Sequence, residues 1–141
     1  MLRKTLIELP AILLVMLFTY AGLSKLLQYD TFKYQLGQSP FVTAYADIIA
    51  WLLPIAELLI AALLISPKTR LSGLYLSYAL MMAFTLYIYA MLHYSYFVPC
   101  SCGGLLSQMN WDQHFIFNIV FTIISLAGIF SLPMAKKVIT A

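Results

Sequence analysis

The sequence predicts an all-α integral membrane protein, a four-helix bundle running up-down-up-down with both termini cytoplasmic. Three observations carry that prediction. Of 141 residues, 63% are hydrophobic and 9% are charged, against roughly 45–50% and about 25% in soluble domains. Four apolar stretches are each long enough to cross a bilayer. The basic residues gather at one set of helix ends. The length suits a single domain over residues 1–141. The net charge of +3 is spread without a basic patch, so a bilayer is an expected partner and nucleic acid is not.

The four stretches are Leu6–Leu27, Ile48–Ile65, Leu71–Leu92 and Trp111–Leu132. Each comes close to the ~20 residues a helix needs to cross about 30 Å of hydrocarbon. Lipid offers no partners to backbone N–H and C=O groups, so segments that cross it satisfy those groups internally, as helices. Arg3 and Lys4 precede the first span, Lys68 and Arg70 flank the turn between the second and third, and Lys136 and Lys137 follow the fourth. Lys25 and Lys33 fall on the other side. Positive charge stays inside, which leaves segments 28–47 and 93–110 on the exterior. The basic start and apolar run of the first span resemble a signal peptide. However, the run is long, Glu8 interrupts it and FTYAGLSKLL offers no small-x-small cleavage site, so an uncleaved span is expected.

The first exterior segment carries structure of its own. Asp30 is placed to cap a short helix, Phe32 and Leu36 share one face, and Gly37 and Pro40 end it. Tyr29, Tyr34, Phe41 and Tyr45 suit the membrane interface, so the segment should lie over the bundle as a lid or an anchor. In the second exterior segment, Pro99 stops the third helix and Gly103 and Gly104 give the chain freedom after it. Asn110 and Gln113 have the spacing of a capping box opening the fourth helix.

The chain's two cysteines, Cys100 and Cys102, sit in that second segment, in VPCSCGGLL. An extended chain separates alpha carbons two residues apart by ~6.6–7.2 Å, whereas a disulfide usually takes about 4.4–6.8 Å. The two can bond only if the chain bends at Ser101. So short a ring gains little as a staple, and strained, exposed disulfides are the exchangeable kind. Exchange is therefore the favoured reading. Two others stay open: a soft-metal site for copper(I), with Met109, His93 and His114 near enough in sequence to complete it, and inert thiols.

Polar groups inside the spans are the remaining candidates. Glu57, mid-span, is costly unless paired or protonated. Lys25, at the exterior end of the first span, can snorkel to the headgroups or turn inward to a carboxylate. Ala21, Gly22 and Ser24 let a neighbouring helix approach closely. Tyr75, Tyr78, Met82, Thr85, Tyr89 and His93 recur at spacings of three and four, so one helix face holds them. That face would suit a quinone headgroup or proton path, or simply a seam of hydroxyls bonded across helices. His114 and His93 are placed to serve the thiols as acid or base.

In this order, AGLSKLL, Pro54-x-x-Glu57 and the C-x-C-G of Cys100–Gly103 resemble the MauE/DoxX group of small four-helix membrane proteins, the C-x-C pointing to the MauE branch. The resemblance implies a redox-associated role in the bacterial inner membrane. Cys100 and Cys102 would be a periplasmic thiol pair that serves the maturation of exported proteins, with an exported or membrane-anchored, thioredoxin-like partner. Lys25 and Glu57 match family positions. The plan also resembles quinone-coupled disulfide generators of the DsbB and vitamin K epoxide reductase type, which implies a membrane quinone as cofactor, contacted by Glu57, Tyr89 and Lys25. Those proteins use Cys-x-x-Cys and usually a second pair, and this chain has neither. A thiol:disulfide oxidoreductase is the expected enzyme class. The contrasting expectation is a non-enzymatic subunit of a larger membrane complex, its tyrosines and the Phe32, Leu36 and Phe41 segment serving as contact surface.

Overall fold

The computed structural model describes residues 2–95 and 109–140. Pro99, Cys100, Cys102, Gly103 and Gly104 lie outside the described residues. Five helices are described: α1 (Leu2–Leu27), α2 (Tyr29–Gln38), α3 (Ala46–Ile65), α4 (Arg70–Tyr94) and α5 (Trp111–Thr140), with a 3-10 turn at Thr43–Tyr45 before α3. Four of them contain segments long and apolar enough to cross a membrane: Glu8–Leu27, Thr43–Ile65, Arg70–Tyr94 and Trp111–Pro133. At 1.5 Å per residue, the 20 residues of α3 reach about 30 Å, one hydrocarbon thickness. The observed helices overrun the expected spans, because helix propagation does not stop where hydropathy falls. α1 begins at Leu2 and α5 continues to Thr140.

The long helices form a ring in which α1 packs on α3 and α5, and α4 packs on α3 and α5. Each turns one stripe inward at alternating three- and four-residue spacing. Ala11, Leu14, Phe18 and Ala21 face inward from α1; Ala50, Pro54, Glu57, Ala61 and Leu64 from α3; Leu74, Ser77, Met81, Ile88 and Met91 from α4; Asn118, Thr122, Ser125 and Ile129 from α5. The opposite faces are just as apolar and stand exposed, among them Ile12, Met16, Leu52, Leu59, Leu86, Ile123 and Phe130. Helices hydrophobic all round suit lipid, not water.

Lipid contributes no hydrophobic drive between spans, so close approach at small residues holds the ring together. Gly22 is the tightest case on the α1–α3 seam. A Cβ there would stand 2.9 Å from Leu58 Cγ and 3.1 Å from the Pro54 carbonyl oxygen. At Gly73, on the α3–α4 seam, a Cβ would meet the Leu64 side chain at 3.0 Å and the Leu64 backbone nitrogen at 3.1 Å.

The α3–α4 connection is short and fully bonded. Thr69 Oγ1 donates to the Leu63 carbonyl at 2.9 Å, Arg70 Nε donates to the Leu64 carbonyl at 3.1 Å, and Thr69 N–H donates to the Ser66 carbonyl at 3.2 Å. The last turn of α3 therefore has partners for carbonyls that a helix end leaves open. The other described connection, α2 with its 3-10 turn, lies at the opposite end of the bundle.

α2 covers that end. Phe32 is buried and Leu36 half-buried, as their one-turn spacing predicts. Asp30 does not cap the helix: Gln28 holds the N-cap position, no side chain bonds there, and Asp30 falls in the first turn. A carboxylate in the first turn still interacts favourably with the helix dipole. Asn110 begins α5 as expected, its N–H donating to Gln113 Oε1 at 3.1 Å.

Gly22→Val should be costly. Relieving the contacts with Leu58 and the Pro54 carbonyl requires the α1–α3 seam to open, at about 1–3 kcal/mol. Thermal unfolding in detergent should show a clear drop in midpoint for Gly22→Val, while Gly37→Ala, where an added Cβ meets nothing within 4 Å, should leave the midpoint nearly unchanged.

Candidate functional site

At the covered end, α1 and α3 bring Lys25 and Glu57 together. Lys25 Nζ lies 2.9 Å from Glu57 Oε1 and 3.1 Å from Oε2. The carboxylate side chain is 1% exposed and the lysine side chain 12%. The meeting follows from the stripes: Lys25 continues the inward series of α1 four residues past Ala21, and Glu57 stands three residues past Pro54. Close packing at Gly22 lets α1 approach α3 near enough for the ammonium to reach. Among the described residues, the third N–H of Lys25 faces the Ala21 carbonyl, at 3.5 Å, the limit of a hydrogen bond. Phe32 of α2 and Phe84 of α4 put ring centres 5.7 Å and 6.0 Å from the ammonium, within cation–π range.

This pair stands in the wall of a cavity of about 110 Å³ bounded by all four long helices and α2. Aromatic and aliphatic side chains, including Phe18, Phe32, Phe84 and Phe117, make most of the wall; Trp111, His114 and Asn118 close it from the first turns of α5. The Asn118 amide donates to the His114 carbonyl at 2.8 Å. The His114 Nδ1 is buried and has no hydrogen-bond partner among the described residues. Tyr87 also lines the cavity, and its hydroxyl donates to Ser39 Oγ at 2.7 Å. Ser39 is fully buried at the end of α2 and lies 3.7 Å from Met91 Sδ. Its carbonyl accepts from Thr43 Oγ1. A single serine thus ties the end of α2 to α4.

The candidates from the sequence divide into two groups. Lys25, Glu57 and His114 converge on the cavity. Tyr89 and His93 do not: both are exposed, their rings stack at 4.2 Å, and the His93 Nδ1–H donates to the Tyr89 carbonyl at 3.0 Å. The α4 face from Tyr75 to His93 runs along the outer border of the helix, and its neighbour, led by Leu74, Ser77, Met81 and Ile88, faces inward. α4 is apolar on every side, so its sequence carried no signal for which face turns in. The hydroxyls along these helices mainly bond backward within their own helix: Ser77 to the Gly73 carbonyl, Thr85 to Met81 and Thr122 to Asn118, each at 2.7 Å. Thr85 and Thr122 also meet across the α4–α5 seam at 3.4 Å.

Asn118, Trp111, Tyr87 and Ser39 are members of the site that the sequence alone did not single out. For Asn118 a signal existed. His114, Asn118, Thr122 and Ser125 form a polar stripe on an otherwise apolar helix, and three of the four are buried. Cys100 and Cys102 lie outside the described residues, eleven and nine positions before Trp111 in the sequence.

A family model described as methylamine utilisation protein MauE matches residues 3–131. The chain belongs to the MauE family. The match spans all four long helices and includes Lys25, Glu57, Cys100, Cys102 and His114. No curated protein and no solved structure matches the chain.

A buried ion pair inside a low-dielectric bundle is costly to break by halves. Lys25→Met should lower stability by about 3–5 kcal/mol by leaving the carboxylate without its cation. The double variant Lys25→Met/Glu57→Leu should recover most of that loss, a coupling that equilibrium unfolding in detergent measures directly. The outer pair behaves differently. Lys33 Nζ lies 2.7 Å from Asp47 Oδ1, with both side chains exposed. The hydrogen bond that Lys33 donates to Asp47, and then the Asp47 charge, raise the Lys33 pKa. A raised lysine pKa contributes stability that is complete below the ordinary lysine range and is lost as pH rises through the raised value. Lys33→Met should therefore leave the unfolding midpoint flat from pH 6 to 8, and any small effect should vanish in salt.

Proposed function

We propose that this MauE-family protein is a membrane accessory of methylamine utilisation that works by thiol–disulfide exchange at Cys100 and Cys102. In this reading the loop that carries them faces the periplasm of a bacterial inner membrane. A thiolate of the pair attacks a disulfide on an exported, thioredoxin-like partner, forming a mixed disulfide and releasing one partner thiolate. The second cysteine then attacks the mixed disulfide, leaving Cys100–Cys102 oxidised and the partner reduced. Run backward, the same two steps oxidise the partner. Balance at the membrane requires a two-electron carrier. A quinone takes two electrons and two protons from the dithiol to give quinol and the disulfide, and the quinol reverses this.

The observation that supports this reading is the position of the cavity. Trp111 and His114 line it from the first turn of α5, and Cys102 precedes Trp111 by nine residues. The Lys25–Glu57 pair is buried in that same wall, where two charges in an apolar bundle need a reason beyond stability.

Rapid alkylation of free thiols in isolated membranes, read by mass shift, tests the proposal. The expected result is a reversible Cys100–Cys102 disulfide whose fraction rises on adding oxidised quinone and falls on adding quinol. Cys100→Ser/Cys102→Ser should abolish the function in cells. Thiols that stay reduced under both conditions, or full function in the double serine variant, would overturn it.

A further inference from the structure

We infer that the cavity beside Lys25 and Glu57 is a water site, holding a cluster of about three molecules that bonds the ion pair on one side and His114 and Asn118 on the other. The inference stands on the cavity and its wall and does not depend on the redox reading.

The cavity, about 110 Å³, has room for about three waters at the ~30 Å³ that each takes up in the liquid. Volume alone does not wet a cavity, since an apolar one of comparable size stays dry. The polar groups on the wall decide.

Four side chains on three helices bring such groups. Lys25, on α1, spends one N–H on each Glu57 oxygen, and among the described residues its third has the Ala21 carbonyl at 3.5 Å. Glu57, on α3, accepts one bond at each oxygen, and a carboxylate oxygen has a second lone pair to offer. On α5, the His114 Nδ1 is buried and has no partner among the described residues. Asn118 is 3% exposed, and its amide nitrogen donates to the His114 carbonyl at 2.8 Å, which leaves the amide oxygen to accept. Buried polar atoms left unbonded are destabilising, and all four side chains line the same cavity.

The mixture of donors and acceptors selects the ligand. Lys25 can only donate, the Glu57 carboxylate and the Asn118 oxygen can only accept, and His114 Nδ1 does either according to its tautomer. A ligand offering acceptors alone would serve Lys25 and set its lone pairs against Glu57 and Asn118. Water both donates and accepts, and a buried water takes two to four polar partners. Molecules bonded to one another and to these four side chains meet that need, and the surrounding phenylalanines limit how many there are.

A way in is present as well. A second cavity of about 10 Å³, lined by Ser24, Lys25, Gln28 and Phe32, shares Lys25 and Phe32 with the first. It is about the size of one water, and Gln28 is exposed. Water therefore reaches the ion pair from the junction of α1 and α2.

The experiment uses the full chain, labelled with nitrogen-15, in lipid bilayers, with Cys100→Ser/Cys102→Ser to keep thiol chemistry out of the result. Solid-state NMR reads how fast magnetisation passes from water protons to each nitrogen. The side chains of the exposed His93 and Asn110 set the rate of full hydration, and the backbone nitrogens of Leu14 and Leu64 in the packed core set the slow limit. The expected result is transfer to His114 Nδ1 and to the Asn118 amide close to the rate of their exposed counterparts. Ala21→Phe, which places a ring in the cavity and leaves the four polar side chains intact, should bring both down to the level of Leu14 and Leu64. Asn118→Leu, which removes one anchor, should slow transfer to His114. Each variant is first checked for a native elution volume; should Ala21→Phe fail that check, Asn118→Leu decides alone. Transfer to His114 and Asn118 as slow as to Leu14 and Leu64 would overturn the water site, and so would fast transfer to His114 that neither variant changes.

Discussion

The structure depends on one ion pair placed where ion pairs are expensive. Lys25 and Glu57 lie in neighbouring helices of a bundle whose outer faces are built for lipid, and the carboxylate is almost wholly shielded. Each charge alone would be strongly unfavourable there, and together they are tolerable only at hydrogen-bonding distance. That requirement propagates outward. Helices α1 and α3 must touch near Lys25, so Gly22 has no side chain. The ammonium must not reach solvent, so Phe32 of α2 and Phe84 of α4 stand over it. Much of the geometry at this end of the bundle can be read as accommodation of a single contact.

The same contact accounts for the unusual character of the cavity. An apolar bundle without it would close on itself, Leu against Phe, as the far half does around Leu14, Leu64 and Leu74. Around the pair the helices carry a lysine, a glutamate, a histidine and an asparagine, whose shapes and polar ends do not interdigitate as aliphatic side chains do. α2 finishes the enclosure, and its end is held by the hydrogen bond between Tyr87 and Ser39. The result is a space that is mostly greasy, with a few fixed donors, at the end of the bundle where α5 begins.

How much of this could be read from the sequence varies with the kind of information. The spans were legible because length and hydropathy act locally, and α2 because Phe32 and Leu36 lie one turn apart before Pro40. Lys25 and Glu57 were each legible as costly groups in apolar runs. Their pairing was one of two options for Lys25, since spacing within one helix says nothing about a partner 32 residues away. The inward face of α4 was not legible at all. Tyr75 through His93 made the more polar stripe, yet hydroxyls that bond back to their own helix carry no preference for the interior. The α5 stripe through His114 and Asn118 was the better guide, because an amide and an imidazole cannot be satisfied by lipid. Tyr87 and Ser39, 48 residues apart, meet only through tertiary packing.

The bonded turn between α3 and α4 has a consequence for how the bundle responds to force. Thr69 and Arg70 fasten the last carbonyls of α3, so α3 and α4 leave that end as one rigid hairpin. At the other end, among the described residues, the helices are joined by α2, by the Lys25–Glu57 pair and by the Tyr87–Ser39 hydrogen bond. The two ends are thus fastened by different means, bonds to backbone carbonyls at the turn and side-chain pairs at the covered end. A load that spreads α1 from α3 at the cavity end is therefore met by Lys25 and Glu57, whereas at the opposite end the α3–α4 turn meets it with bonds to the last carbonyls of α3.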